Sequence, residues 1–175
     1  MPVWEFEPGH TSAEFAVRHM MVTIVRGQFK NLKGRFNFDP RDSAGCFVEA
    51  TIDAASFTTE EPERDAHLRS ADFLDVARHP TITFKSTGVE ATGTNHCKVT
   101  GDLTIRGVTR PITLDVEYFG PVDTPFNNTR TGFLARTRIN REDFGASWNS
   151  PMPGGGWVVG KEVEITIDVE AIRVD

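Results

Sequence analysis

The feature that most constrains this chain is a strict alternation of apolar and polar side chains over residues 99–118, VTGDLTIRGVTRPITLDVEY. A period of two places the apolar side chains of a strand on one face. Because the two alternating runs are separated by the tetrapeptide GVTR, the stretch predicts an antiparallel hairpin. A four-residue loop would pair Ile105 with Ile112. The same register would set Asp102 opposite Asp115, which is an unfavourable like-charge pair.

The same alternation recurs along the chain and predicts six further strands. These strands cover residues 11–18, 27–39, 47–56, 81–90, 133–139 and 161–169. Within 27–39 the apolar side chains change parity near Lys30-Asn31, which predicts a β-bulge there. The pattern breaks between 58 and 80, where Pro62, with Thr59 as N-cap, predicts a short helix over 62–74 that ends at His79-Pro80.

These elements amount to about eight strands with one apolar face each. Nearly all of the connections are too short for parallel crossovers, so we predict an antiparallel sheet. Such a sheet buries its apolar face, and removes its free edges, by closing into a barrel. We therefore predict an all-β, eight-stranded antiparallel barrel as a single domain over residues 1–175, with the helix near its rim. A two-sheet sandwich is the alternative architecture.

Composition limits the class of partner. The chain has 175 residues and a net charge of −6, which argues against nucleic acid and against an anionic membrane. It contains no apolar run long enough to span a membrane. Strand-like sequence at residues 3–6 with no preceding leader predicts a cytoplasmic protein. Cys46 and Cys97 begin two predicted strands separated by one other strand, which is too far for a disulfide, so both thiols are expected to be free.

The aromatic content raises the question of what fills the barrel. Thirteen Phe residues accompany a single Tyr, so much aromatic surface is meant to stay dry. The predicted interior also contains small residues such as Gly34, Ala50 and Gly101. These small residues either complement the large ones in a packed core or leave room for a ligand, since eight strands allow both outcomes.

The order of several motifs resembles that of the YceI-like family. The motifs are HTSAEFAVRHMMVTIVRGQF (10–29), RDAHLRSADFLDV (64–76), HPTITFKS (79–86), VTGDLTIRGVTRPITLDV (99–116) and INREDFG (139–145). The resemblance implies a lipocalin-like barrel that binds a polyisoprenoid or similar long apolar lipid, such as an isoprenoid quinone or polyprenyl. It also implies that loops and the 62–74 helix surround the entrance, and that a homodimer is plausible.

The predicted ligand-binding residues are inward-facing side chains together with two residues at the entrance. They are Phe15, Val17, His19, Met20, Phe36, Phe38, Ile52, Phe84, Leu103, Ile105, Leu114, Val116, Phe133, Ala135, Ile165 and Ile167. The candidates for binding a polar head group are His19, Arg64 and Arg69. We predict no metal ligand and no cofactor other than the bound isoprenoid lipid.

Three functional hypotheses follow from these predictions. The first is non-catalytic binding, sequestration or transport of a long apolar lipid. The second is a small barrel enzyme acting on an apolar substrate, with His19 or a carboxylate at the rim transferring a proton. The third is a packed barrel with a protein-interaction role. The chain lacks a nucleophile elbow, a phosphate-binding loop and a Cys-x-x-Cys motif, so we predict no catalytic residue.

Overall fold

The computed structural model describes residues 1–39 and 41–175, and most of them lie in strands. The strands are β1 (Val3–Phe6), β2 (Ser12–His19), β3 (Thr23–Phe29), β4 (Leu32–Asn37), β5 (Phe47–Asp53), β6 (Phe57–Thr58), β7 (Thr81–Gly93), β8 (His96–Ile105), β9 (Val108–Asp123), β10 (Thr129–Asn140) and β11 (Val159–Arg173). Helix α1 spans Pro62–Arg69, and 3₁₀ turns lie at Pro8–His10, Ser43–Gly45 and Arg141–Phe144.

Eight of the strands form a closed ring. Their order is β1–β4–β5–β7–β8–β9–β10–β11, and β11 returns to β1. The ring closes because Trp4 of β1 lies opposite Phe36 of β4 on one side and Arg173 of β11 on the other. Strands β2, β3 and β6 extend the sheet from the other part of β11. The predicted eight-stranded antiparallel barrel is confirmed.

The prediction of one continuous strand over 27–39 is wrong. The segment forms β3 and β4, separated at Lys30-Asn31, where the sequence predicted a bulge. The two halves have different partners, since β3 pairs with β2 while β4 pairs with β1 and β5. The neighbouring strand is interrupted at the same level by the 3₁₀ turn Pro8–His10. Both interruptions lie where the pairing passes from β2–β3 to β1–β4.

The predicted register of the 99–118 hairpin is also wrong. The loop has two residues, Arg106 and Gly107, and both have positive φ angles, 54° and 71°. Such a turn matches the twist of the flanking strands and makes Ile105 the partner of Val108. Because the shift of four residues is even, the apolar face is unchanged. Asp115 now lies opposite Lys98 instead of Asp102, which removes the like-charge pair.

Helix α1 is shorter than predicted. It ends at Arg69 because Ser70 adopts an extended backbone and its hydroxyl donates a hydrogen bond to the carbonyl of His67. Glu61, not Thr59, occupies the N-cap position. Among the described residues, no helix is both long and apolar enough to cross a membrane.

The two ends of the barrel differ. We call the end that carries the 20–22 turn, residues 54–80, the 106–107 turn and residues 141–158 the helix end. Hydrogen bonds join these segments, for example from Arg106 to the carbonyl of Ala71 and from the Met20 amide to the carbonyl of Val158. The far end carries the turns at 94–95 and 124–128. Residues 54–80 lie across the helix end and are called the cap below.

Candidate functional site

The barrel interior holds a cavity of about 210 Å³. Side chains from strands around the ring line it, and the cap and the 141–146 segment line it at the helix end. The cap and this segment contribute Phe57, Leu68, Phe73, Leu74 and Phe144. Apolar cavities of about 150 Å³ stay free of water and bind small hydrocarbons. A cavity of this size and lining therefore suits an apolar ligand.

A second cavity of about 50 Å³ lies toward the far end. Val48, Leu114 and Phe133 line both cavities and so form the boundary between them. The Phe133 ring is held edge-on against the Phe36 ring at a centroid distance of 5.3 Å and against Phe6 at 6.0 Å. The interior thus contains two apolar chambers separated by a cluster of side chains.

Glycines in the wall explain why the interior is not filled by aromatic rings. The Phe84 ring lies over Gly101, with its Cζ atom 2.5 Å from the position that a Cβ of this glycine would occupy. Phe6 lies over Gly34 in the same way, at 2.4 Å. Each ring therefore occupies the space that a side chain at the glycine would fill.

Most of the predicted ligand-binding residues line one of the two cavities. The larger cavity is lined by Phe15, Val17, Ile52, Phe84, Leu103, Ile105, Leu114, Phe133, Ala135, Ile165 and Ile167. The smaller cavity is lined by Phe36, Phe38, Leu114, Val116 and Phe133. Their inward orientation agrees with the period-two alternation, because orientation follows from strand parity alone; their contact with a ligand stays a prediction.

The residues predicted at the entrance do not belong to the lining of either cavity. His19 and Met20 line neither cavity, and Met20 is exposed at the turn between β2 and β3. Arg64 donates hydrogen bonds to the hydroxyl and carbonyl oxygens of Thr59, each at 2.8 Å. Arg69 donates to the carbonyls of Ala55 and Phe57. Both arginines thus hold the two halves of the cap together.

Asp65 is the centre of the cap. It is buried, and its Oδ1 atom accepts hydrogen bonds from the amide and hydroxyl groups of Thr59. Its Oδ2 atom accepts a hydrogen bond from the hydroxyl of Thr58. Burial by itself raises the pKa of Asp65, but these hydrogen bonds favour the charged form and bring the pKa below its ordinary value.

Sequence reasoning missed Arg141, which is 6% exposed and lines the larger cavity. Its guanidinium donates hydrogen bonds to the carbonyls of Ala146, Trp148, Val159 and Gly160. Because burial disfavours the charged form, the pKa of Arg141 is lowered. Its carbonyl partners come from the Pro- and Gly-rich loop and the start of β11, so an inward cation could not be predicted from alternation.

An aromatic cluster joins the cap to the 141–158 segment. The His67 ring packs edge-on against Trp148 at 4.7 Å and against Phe73 at 5.0 Å. The Nε2 atom of His67 lies 2.8 Å from a carboxylate oxygen of Asp72. The Arg141 guanidinium lies 5.7 Å from the centroid of the Phe73 ring. The helix end of the cavity is therefore bordered by packed side chains from both segments.

Cys46 and Cys97 are both free and line the smaller cavity. The prediction of two unpaired thiols is confirmed. Burial, with a smaller contribution from Cys46, raises the pKa of Cys97 to about 11. A thiol of this kind is a poor nucleophile at neutral pH.

One group of side chains has donors suited to a metal ion. Ligand atoms of Glu7, His10 and Glu170 all lie within 4.8 Å of one another, outside the barrel wall. The Glu170 carboxylate is already paired with the guanidinium of Arg130, and His10 is exposed. The group is remote from the two cavities and contributes nothing to them.

Several known proteins are similar to this chain in sequence or in fold. Protein YceI of Escherichia coli O157:H7 is 37% identical over 167 residues, which cover 95% of this chain and 84% of that protein. The crystal structure of BcnA from Burkholderia cenocepacia superposes with a TM-score of 0.82 at 24% identity, covering 94% of this chain and 98% of BcnA. A polyisoprenoid-binding domain from Saccharophagus degradans, implicated in plant cell wall breakdown, superposes at 0.71 with 13% identity, covering 99% and 100%. These two structural likenesses show the shared fold.

The family comparison covers nearly the whole chain. The sequence model described as the YceI-like domain matches residues 4–171, from β1 to near the end of β11. This range contains every strand of the closed ring, the cap and both cavities. The chain therefore belongs to the YceI-like family.

Proposed function

We propose that this protein binds a long apolar lipid of the polyisoprenoid class, such as an isoprenoid quinone or a polyprenyl chain, inside the barrel. It sequesters or transports the lipid and does not alter it chemically. The observation that carries the proposal is the cavity of about 210 Å³ walled by aliphatic and aromatic side chains. The fold shared with a domain described as polyisoprenoid-binding supports it.

The free energy of burial favours a chain of several isoprene units. One unit of five carbons contributes up to about 4 kcal/mol when fully buried, at about 0.8 kcal/mol per CH₂. Association costs roughly 4–15 kcal/mol. A single unit is therefore too small. A longer chain would fill the larger cavity and enter the smaller one by displacing the Phe133 ring, which lies between the two.

The polar end of such a ligand would lie at the helix end, beside Arg141. A guanidinium has five N–H groups, and four of those on Arg141 have carbonyl acceptors among the described residues. The remaining N–H on Nη2 can donate to a quinone carbonyl or a hydroxyl oxygen. In this proposal Arg141 takes the head-group role, while Arg64 and Arg69 hold the cap.

The cavity counts against a packed barrel, and the position of His19 outside both cavities counts against proton transfer to a substrate by this residue. We also propose a homodimer, which the family resemblance implies. Light scattering tests it by measuring the molar mass in solution. Neither point depends on the identity of the lipid.

The first test is solvent extraction and native mass spectrometry of the purified protein after expression in a host that makes isoprenoid quinones. We expect a retained mass of lipid size. Delipidated protein should then take up geranylgeraniol, measured by displacement of a fluorescent apolar probe. Protein that carries no lipid and takes up no geranylgeraniol would refute the proposal.

A matched pair of variants locates the binding. Ala135 is fully buried and lines the larger cavity, so Ala135→Leu should fill part of the cavity and weaken geranylgeraniol uptake at least about ten-fold. Thr51→Leu adds similar bulk on an exposed position of β5 and should leave uptake unchanged. If Ala135→Leu fails to fold, Ala50→Leu tests the opposite wall. Equal uptake by a folded cavity variant and Thr51→Leu would place the ligand elsewhere.

A further inference from the structure

The helix end carries an exposed apolar surface that the barrel cavity does not use. Met20, Met21, Val22 and Ile24 lie at the turn between β2 and β3, and Trp157 lies beside them. Val22 is 78% exposed and Trp157 is 52% exposed. We call these five residues the apolar tip. Exposed apolar side chains concentrated at one protruding turn are typical of an interaction surface.

The backbone holds the apolar tip in this shape. Met20 and Met21 both have positive φ angles, 49° and 62°, and the Met20 amide donates a 2.7 Å hydrogen bond to the carbonyl of Val158. The Met21 sulfur lies 2.1 Å from the position that a Cβ of Gly156 would occupy, so it packs directly on this glycine. Val22 and Trp157 are therefore presented to solvent by a braced turn.

Two exposed cationic side chains, Arg18 and Arg26, lie next to the apolar tip. The chain has a net charge of −6, but residues 15–38 contain no Asp or Glu. Of the five cationic side chains in this segment, Arg18 and Arg26 lie nearest the tip, whereas Lys33 and Arg35 lie on β4. Arg18 and Arg26 are exposed next to the tip, and Arg18 lies opposite Ile24. Neither arginine forms a salt bridge with another described residue.

We infer that the apolar tip docks the protein on a lipid bilayer that contains anionic lipids. Apolar residues with an exposed Trp, flanked by arginines, match the boundary between acyl chains and negatively charged head groups. The two exposed arginines beside the tip complement such a surface although the whole chain is acidic. This inference concerns the outer surface and does not depend on the proposed function.

The apolar tip lies close in the structure to the lining of the larger cavity. Val159 lines the larger cavity and pairs with His19, the residue that precedes the tip. Insertion of the tip would therefore place the helix end of the barrel, with Arg141 and the cap, against the head groups.

The test is co-sedimentation of the full chain with vesicles of phosphatidylcholine alone and of phosphatidylcholine with phosphatidylglycerol. We expect binding to the mixed vesicles that weakens as salt is added. Val22→Ser with Trp157→Ser should lower the partition coefficient at least about ten-fold. Arg18→Gln with Arg26→Gln should remove the preference for phosphatidylglycerol. Brominated phosphatidylcholine should quench the fluorescence of the wild type more than that of Trp157→Phe.

A second apolar residue provides the matched control. Phe126 is 74% exposed in the 124–128 turn at the far end, so Phe126→Ser should leave vesicle binding unchanged. If Phe126→Ser lowered the partition coefficient as much as Val22→Ser with Trp157→Ser does, the inference would be overturned. Failure of the wild type to bind either kind of vesicle would also overturn it. If the wild type forms a dimer and binds no vesicles, and Val22→Ser is monomeric, the tip would be assigned to contact with a second copy of the chain instead. Geranylgeraniol uptake measured without vesicles should be normal in Val22→Ser, which separates this result from the proposed function.

Discussion

Phe15 on β2 and Gly27 on β3 lie directly opposite each other, and the Phe15 ring occupies the space of the missing Gly27 side chain. The Cζ atom of Phe15 is 2.2 Å from the position that a Cβ of Gly27 would take. The ring therefore lies along the wall, as the rings of Phe84 and Phe6 do over their own glycines. A barrel rich in phenylalanine keeps a cavity because its rings pack over glycines.

Substitution of Gly27 by alanine should force the Phe15 ring toward the lumen. The backbone of Gly27 has no positive φ angle, so the effect is steric. We expect a loss of about 1–3 kcal/mol in the free energy of unfolding and weaker uptake of geranylgeraniol. Gly88→Ala is the control, because no atom lies within 4 Å of its Cβ position. Thermal unfolding of both variants checks the prediction. The double variant Gly27→Ala with Phe15→Leu should recover stability, because the smaller side chain leaves room for the new Cβ. Equal stability of Gly27→Ala and Gly88→Ala would contradict the prediction.

Asp65 should make the free energy of unfolding depend on pH under acidic conditions. Its pKa is lower in the folded protein than in the unfolded chain, so its contribution is present above about pH 4 and is lost as the pH falls through the folded value. Asp65→Asn should cost about 1–3 kcal/mol at about pH 7, and the difference from wild type should shrink below pH 4. Asp72→Asn changes an exposed carboxylate that contacts the His67 ring and should cost less than about 1 kcal/mol. Urea unfolding at several pH values measures both, and a difference that stays constant with pH would count against this account.

Arg141 should contribute strongly to the stability of the helix end, because it joins four backbone carbonyls there. Arg141→Met leaves the carbonyls of Ala146 and Gly160 without their donor, so we expect a loss of at least about 3 kcal/mol and a fall in melting temperature of roughly 6–12 °C. Arg138→Met is the matched change on an exposed arginine with surface ion pairs, and it should cost at most about 1 kcal/mol. Circular dichroism melts measure both variants. Similar melting temperatures would show that the buried hydrogen bonds contribute little.

Cys97 should react slowly with thiol reagents in the native protein. With a pKa of about 11, its thiolate fraction is roughly one thousandth at pH 8. In Cys46→Ser, which leaves Cys97 as the single thiol, labelling by Ellman's reagent should be at least about 100-fold slower than in urea. The rate should rise with pH up to this pKa. Native labelling as fast as in urea would mean that Cys97 is accessible and ionised.

The sequence by itself determined the fold class and the orientation of most side chains in the barrel wall. The alternation in 99–118 and 161–169 predicted strands with one apolar face, and residues such as Leu103 and Ile165 line the cavity as that parity requires. Orientation follows from the local backbone geometry of a strand, so it survives an error in register. The hairpin illustrates this, because a shift of four residues left its apolar face in place.

Only the tertiary structure decided the features that depend on partners distant in sequence. The hairpin has a two-residue turn with positive φ at Gly107 instead of the predicted four-residue loop. The division at Lys30-Asn31 reflects a change of neighbouring strand. The burial of Arg141 depends on carbonyls up to 19 residues away. The cavity depends on which glycine lies opposite each phenylalanine. Periodicity along one strand contains no information about contacts across the barrel, and these contacts determine whether the interior is filled or hollow.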